Sequence, residues 1–431
     1  MREGWIELSE ARLHYVEWEP ERDEVREPSL LLLHGLSSNA LFWSRLARHL
    51  LDRRLVALDQ YSHGRSDSLS DRDYGEVIEA ASRAVVELGL KRPLVVGHSW
   101  GASVGLELTA TRPALASGLV FVDGPPAAMS RVMSWEDASE RMQPPFPVYG
   151  DLEQAVEAQR SYLGEVWDDD LRDFVRRGLA EVEGGLTSTL TFEARQQILR
   201  RIFEFDPPDF FPMVEGPVLL AMAARLWPGA PQEFEEGRRL AVELVMQRRP
   251  DVQVRWYDSR HDIPLIRPLE LAADVERTAI AAAFASVARE AAELEGDWSR
   301  PVHGGSEAAG DEAGEPWRAR DLLAHLSSTQ AAMAQVVTTP PSEEADGERP
   351  RFDPDRWNAS QVRRRRELSP ADLVSEMRRG AVGLQAALMD VDLEQVVAAG
   401  SFAGLPVRDA MQRMVEHQRG HLEELRRTLA G

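Results

Sequence analysis

The sequence predicts two folds in series: an α/β domain built on a mostly parallel sheet, then an all-α four-helix bundle. Three observations carry this. Apolar strand-like runs alternate with helical segments as far as about residue 285, which is the pattern of parallel strands joined by crossovers. The pentapeptide Gly97-His98-Ser99-Trp100-Gly101 directly follows the apolar run Pro93–Val96, as a sharp strand-to-helix turn would. Beyond residue 286 the strand patterns stop and helical spacing takes over.

Taken in order, Trp5–Glu7 and Arg12–Trp18 alternate like hairpin strands, and Ser29–Leu33 is a continuous apolar strand ending in His34-Gly35-Leu36. A helix is expected over Leu41–Leu51, a strand over Arg54–Leu58, a turn over Asp59–Asp67 and a helix over Tyr74–Leu88. The strand ending at Gly97 runs into the small-residue helix Ala102–Ala110, which can pack closely on a sheet. Gly118–Val122 is another buried strand, closed by Asp123-Gly124-Pro125-Pro126, and Pro217–Met222 and Val252–Tyr257 are two more.

Composition narrows the chemistry. With 431 residues the chain is long for one domain. It has no cysteine, which removes disulfides, thiolate ligands and Cys nucleophiles and leaves Ser, His and carboxylates. A formal charge of −22 disfavours nucleic acid and anionic membranes as partners. The basic cluster Arg363–Arg366 is followed by Glu367 and reads as a solvated helix face. Neither a signal-peptide pattern nor an apolar run of roughly 18 residues is present, so a cytoplasmic chain without a membrane span is expected.

Ser99 is the candidate nucleophile. In a turn this sharp the middle residue adopts strained backbone angles, and side chains at Gly97 and Gly101 would strike the neighbouring strand and helix. The order Leu33-His34-Gly35, Ser62-His63-Gly64-Arg65-Ser66, Gly97-His98-Ser99-Trp100-Gly101 and His261-Asp262-Ile263-Pro264 resembles the α/β-hydrolase family over about residues 1–285. By that resemblance Ser99 attacks the substrate and His261, four residues past the last strand, is the general base. The backbone N–H groups of Leu36 and Trp100 would form the oxyanion hole. An imidazole suits the base because its pKa lies near neutrality. His14, His49 and His303 sit in ordinary contexts, while His34, His63 and His98 lie in family turns and are read as shaping loops or the site wall.

The triad acid departs from the commonest pattern. After Pro217–Met222 no carboxylate follows until Glu233. Some family members carry the acid one strand earlier, where Asp123 stands, so Asp123 is the expected acid, with Asp258 or Glu233 as alternatives. A missing acid would argue against full hydrolase activity. Between about residues 125 and 216, helical spacing recurs over Ser134–Met142, Leu152–Leu163, Asp168–Val182 and Phe192–Phe205. The resemblance implies a helical cap there, whose Phe146, Tyr149, Tyr162, Trp167 and Phe174 line the pocket or form the cap's own core.

In the second part, Arg267 to about Leu294 reads as one helix, followed by the polar Gly-rich loop 296–315. Helices are expected over Trp317–Val337, Pro370–Met389 and Pro406–Leu429, with a loop over 340–354, giving a domain 286–431 after a hydrolase domain 1–285. His417 and His421, four apart, share a face with Ala410 and Met414, and His325 is in phase with Leu322 and Thr329. Gly420 is read as allowing close helix approach.

Trp317–Leu326 together with His417 and His421 resembles the DinB-like bundles, which include mycothiol-dependent maleylpyruvate isomerases. The resemblance implies a divalent metal on His325, His417 and His421. Three imidazoles suit Zn, Ni or Fe and leave positions open for water or a thiol. The whole chain reads as a serine hydrolase acting on a small-molecule ester, thioester, lactone or amide. Two alternatives stay open: a metal-dependent thiol transferase or isomerase centred on the bundle, using a low-molecular-weight thiol, or a binding and regulatory protein with degenerate sites.

Overall fold

A computed structural model describes the chain except residues 10, 22–24, 69–73, 132, 143–145, 227–231, 303–316, 340–351, 399 and 431, and the side chains of Glu165 and Glu233. Most of the Gly-rich loop, nearly all of the loop 340–354, His303 and the Glu233 carboxylate therefore lie outside the described residues. Packing divides the chain into two compact units, Met1–Glu276 and Arg277–Gly431. The division falls inside the helix Pro268–Ala292, which has no break in its sequence to mark the change.

The first unit is built on an eight-stranded sheet. Its strands are β1 (Arg2–Glu7), β2 (Arg12–Trp18), β3 (Leu30–Leu33), β4 (Leu55–Leu58), β5 (Leu94–His98) and β6 (Gly118–Val122), then β9 (Val218–Ala223) and β10 (Gln253–Tyr257), with β7 (Leu179–Val182) and β8 (Gly185–Ser188) forming a separate hairpin. The order is β1-β2-β4-β3-β5-β6-β9-β10. Only β2 pairs antiparallel with its neighbours β1 and β4; the remaining ladders are parallel. Parallel strands flanked by crossovers are covered on both faces. Accordingly β3, β4, β5, β6 and β9 are buried along their whole length, which explains their unbroken apolar runs.

The expected helix over Leu41–Leu51 is shorter, a 3₁₀ turn Ala40–Trp43 followed by Ser44–Ala47. Cap helices form at Trp135–Arg141, Leu152–Leu163, Arg172–Arg177 and Phe192–Glu204. Ser134, Asp151 and Thr191 cap three of them by accepting the N–H of the third helical residue. The cap is not wholly helical, however. Residues 179–188, expected to belong partly to a helix, form the β7–β8 hairpin. Its turn is Glu183-Gly184, and Gly184 and the first β8 residue Gly185 both lie at positive φ, a conformation glycine adopts without steric cost. Tyr149, Trp167 and Phe174 pack on Ala155, Val156 and Val175 as the cap's core, and Phe146 packs on Phe192. Tyr162 is exposed.

The second unit is helical. Helices Ala319–Thr338, Pro370–Leu388 and Val407–Ala430 lie where the sequence places them. Their core takes in Phe284, Val287 and Ala291 from the long helix together with Leu323, Met377, Leu384, Met411 and Leu425. A further helix, Pro354–Arg364, was not expected; its polar sequence buries no residue and so offers little apolar period. The basic cluster straddles its end, where Arg365 forms a bidentate pair with Glu376 at 2.7 and 2.9 Å. Gly420 is exposed, and a Cβ there would meet nothing within 4 Å. It serves no close helix approach. Among the described residues no helix is long and apolar enough to cross a membrane.

Candidate active site and candidate metal centre

The turn after β5 holds Ser99 at φ 54°, ψ −119°, immediately before the helix Trp100–Thr111. A side chain is rarely stable there, and such strain persists only where the surroundings enforce it. Here they do: a Cβ on Gly97 would fall on the backbone of Gly101, and one on Gly101 would fall on the carbonyl of Leu33. Trp100 is the first helical residue, so its N–H has no intrahelical acceptor. The loop after β3 passes close by, since a Cβ on Gly35 would lie 3.0 Å from Cβ of Ser99. Leu36 follows in that loop.

Two buried histidines brace this loop. His34 Nε2 accepts the Gln60 N–H at 3.1 Å, and His63 Nε2 accepts the N–H of Ser37, itself at φ 63°, at 3.0 Å. Burial, with His34 alongside, pushes His63 down to about 3, so it stays neutral and keeps the lone pair that Ser37 needs. Below them Asp59 accepts the N–H groups of Ala40 and Arg65 and the ring of His14. His14 is thus part of a buried polar network that its local sequence gave no reason to expect.

His261 Nδ1 donates to Asp123 Oδ2 at 2.7 Å. Asp123 stands just beyond β6 at φ 44°, its N–H bonded to the Ala221 carbonyl of β9. The carboxylate is 8 % exposed, and its Oδ1 receives the Ala223 N–H at 2.9 Å and Arg238 Nη2 at 2.7 Å. Burial alone would raise its pKa, but the His261 hydrogen bond and charge, Arg238 and the Ala223 N–H outweigh this and hold it below the ordinary carboxylate value. His261 shifts the other way. Desolvation opposes its charge, yet the Asp123 bond and the charges of Asp123 and Asp262 raise its pKa. The ring keeps 49 % exposure, so solvent tempers both influences.

His98 completes the arrangement. Its Nε2–H donates to the His261 carbonyl at 3.0 Å, the two rings lie 4.6 Å apart, and Phe42 stacks on its other side at 4.7 Å. Burial, with His261 adjacent, takes His98 down to about 3. It is a neutral spacer that, as the residue preceding Ser99, joins the His261 loop to the turn after β5. Of the alternative acids, Asp258 is exposed and forks onto Arg225 at 2.5 Å through both oxygens, away from His261. Arg238, on the helix Gln232–Arg248, is a contributor that the sequence did not disclose, because nothing local links it to Asp123. A described groove of about 630 Å³ lined by Arg45, Asp170, Trp167 and Arg267 includes neither Ser99 nor His261.

In the helical unit the nitrogens of His325, His417 and His421 lie within 4.8 Å of one another. His325 Nε2 and His417 Nε2 are 3.3 Å apart, about the edge of a tetrahedron with bonds of roughly 2.0–2.1 Å. His421 Nδ1–H donates to Glu424 at 3.2 Å, which leaves Nε2 with its lone pair, and that buried nitrogen has no hydrogen-bond partner. This is the outer-shell support typical of ligating histidines. Burial, then the neighbouring His421 and His417, takes His325 down to about 3, so it is neutral. The residues present fit a divalent ion.

Residues 30–275 match the alpha/beta hydrolase family, and the chain belongs to it, an enzyme of hydrolase type. Residues 279–418 match the mycothiol maleylpyruvate isomerase N-terminal domain, a DinB-like module fused at the C-terminus. Among curated relatives, the sn-1-specific diacylglycerol lipase ABHD11 of Mus musculus is 26 % identical over 231 residues, 52 % of this chain and 74 % of the lipase. The 2-(acetamidomethylene)succinate hydrolase of Mesorhizobium japonicum is 29 % identical over 188 residues, 42 % of this chain and 64 % of that enzyme. A crystal structure of E-2-(acetamidomethylene)succinate hydrolase superposes with a TM-score of 0.54 at 20 % identity, covering 64 % of this chain and 98 % of that one, a likeness of fold.

The geometry yields a titration with a definite sign. His261 followed by NMR should titrate above its ordinary 6.5, and Asp123→Asn should bring that value down by removing both the bond and the charge that raise it. A titration unmoved by the substitution would mean that Asp123 does not govern the imidazole.

Proposed function

We propose that the first unit is a serine hydrolase that cleaves a small-molecule ester, thioester, lactone or amide by acyl transfer through Ser99. The observation that carries this reading is the conjunction of a strained Ser99 on the β5 turn with a His261 ring held by a buried, ionised Asp123. His261 Nε2 takes the hydroxyl proton as Ser99 Oγ bonds to the substrate carbonyl carbon. The resulting oxyanion is held by the N–H groups of Leu36 and Trp100. Collapse of the intermediate breaks the bond to the leaving group, which receives the proton from His261, and a water deprotonated by His261 then releases the acyl group. Asp123 keeps the imidazole in the tautomer that presents Nε2 and stabilises its cation; it does not itself take the proton. The cap residues 125–216 enclose the substrate.

In the second unit His325, His417 and His421 would hold a divalent ion, Zn, Ni or Fe by the character of the ligands. When bound, such an ion acts as a Lewis acid toward a coordinated water or thiol. Glu424 orients His421, and burial keeps His325 neutral for ligation. The relatives are named for a diacylglycerol and for 2-(acetamidomethylene)succinate.

A fluorophosphonate probe is expected to label the wild-type chain and to leave Ser99→Ala unlabelled; labelling that survives the substitution removes Ser99 from the chemistry. Elemental analysis of the full chain, purified without chelator, should find about one divalent ion per chain, lost in the double variant His417→Ala, His421→Ala. A metal-free wild-type chain, or equal content in the variant, would leave the bundle a structural or partner-binding domain.

A further inference from the structure

Among the described residues of the first unit, four arginines are exposed over less than a tenth of their surface: Arg26, Arg53, Arg195 and Arg249. Three have carboxylate partners. Arg53 forks onto Glu276, Arg26 faces Asp52 and Glu276, and Arg249 pairs with Asp251. Arg195, at 7 % exposure, forms no ion pair among the described residues. An uncompensated cation is costly to bury, and burial, with no acid to oppose it, lowers the pKa of Arg195 to about 10. A charge retained at that cost calls for an anion.

Its position says where the anion goes. Arg195 lies on the cap helix Phe192–Glu204, and its Nε and Nη2 donate to the Met142 carbonyl at 3.1 and 2.6 Å while Nη1 donates to Ser37 Oγ at 2.5 Å. A guanidinium has five N–H groups. Among the described residues these bonds use three, and the two remaining sit on the terminal nitrogens, a pair able to grip a carboxylate in bidentate fashion. Ser37 is the residue after Leu36, two after the Gly35 that approaches Ser99. Over that many Cα steps, the free edge of Arg195 lies on the order of 10 Å from the nucleophile. Ser37 is itself exposed, so solvent reaches the loop against which Arg195 rests.

We propose that Arg195 is a specificity-determining residue that binds a carboxylate on the acyl part of the substrate, so that the enzyme hydrolyses half-esters or half-amides of dicarboxylic acids in preference to uncharged acyl compounds of equal length. This rests on the serine-hydrolase reading above and names its substrate class. The carboxylate pairs with the unused N–H edge of the guanidinium while the scissile carbonyl, at the other end of the acyl chain, reaches Ser99. Bound charge then compensates the buried arginine, and binding holds the reacting carbonyl in place.

The test compares monophenyl succinate, adipate and suberate with phenyl butyrate, hexanoate and octanoate, using the full chain. For at least one length the wild type should favour the charged ester in kcat/KM by about tenfold or more. Arg195→Met should bring that ratio near one and Arg195→Lys should restore part of it; because a ratio is read within each variant, general damage to the site cancels. The same ester pairs are titrated into Ser99→Ala by calorimetry, with and without Arg195→Met. Tighter binding of the charged ester, lost with the arginine, supports the assignment. Equal binding of charged and uncharged esters at every length overturns it, whether or not the wild type turns them over. Turnover of neither series, with charge-selective binding intact, counts against the Ser99 reading instead. A purely structural strap between cap and loop would depress both esters alike and leave the ratio unchanged, which also overturns the proposal.

Discussion

The buried carboxylate of Asp123 is the constraint on which the candidate active site depends. A charge enclosed to this degree is tolerated only when its oxygens are fully engaged, and each partner ties a different element to the end of β6. The Ala223 N–H brings in β9, Arg238 brings in the following helix, and the His261 ring brings in the loop after β10. The last residue of β9, Ala223, contributes a backbone N–H beside the place where most of the family would supply an acid. An acid at the end of β6 still reaches the imidazole, at 2.7 Å from Nδ1 of His261. The same carboxylate holds Arg238, which tempers the rise in the His261 pKa.

A second constraint meets the first at Ser99. The nucleophile turn, the loop after β3 and the His261 loop are held together by neutral histidines rather than by charges. His98 links the turn to His261, while His34 and His63 support the loop carrying Leu36. Desolvation makes these rings poor bases, and that suits them as fixed donors and acceptors beside a reactive imidazole. A protonatable ring in any of these places would add a cation near the site and oppose the charging of His261 during the reaction. Arg195, which enters from the cap, pairs with no acid among the described residues.

What could be read from the sequence was local in origin. Apolar runs disclosed β3, β5, β6 and β9 because strands covered on both faces need no alternation, and the glycines around Ser99 disclosed the turn because side chains cannot fit there. His261 was singled out through the resemblance that its place past the last strand supports, and helical phase put the bundle histidines on inward faces, while their role as ligands came from the second resemblance. Illegible were pairings formed by tertiary approach: Arg238 with Asp123 across 115 positions, and Arg195 with Ser37 across 158. The hairpin Leu179–Ser188 was hidden because four-residue strands are too short for period to separate them from a helix end. The helix Pro354–Arg364 was hidden because it buries nothing. Choosing between Asp123 and Asp258 required seeing which carboxylate faces the imidazole and which is taken by Arg225.

The helical unit obeys the same physics with a different outcome: one ring nitrogen from each of three imidazoles converges, burial beside His421 and His417 keeps His325 neutral, and Glu424 holds His421. On the proposed reading, proton transfer belongs to the first unit and metal ligation to the second. The central claim, that Asp123 empowers His261 to activate Ser99, is tested most directly by the pre-steady-state acylation burst with an activated phenyl ester. The wild type should release about one phenol per chain in the burst, with the acyl group on the Ser99 peptide by mass spectrometry, and Asp123→Asn should slow that phase by roughly 10³–10⁴. A burst of undiminished rate in Asp123→Asn would contradict the account.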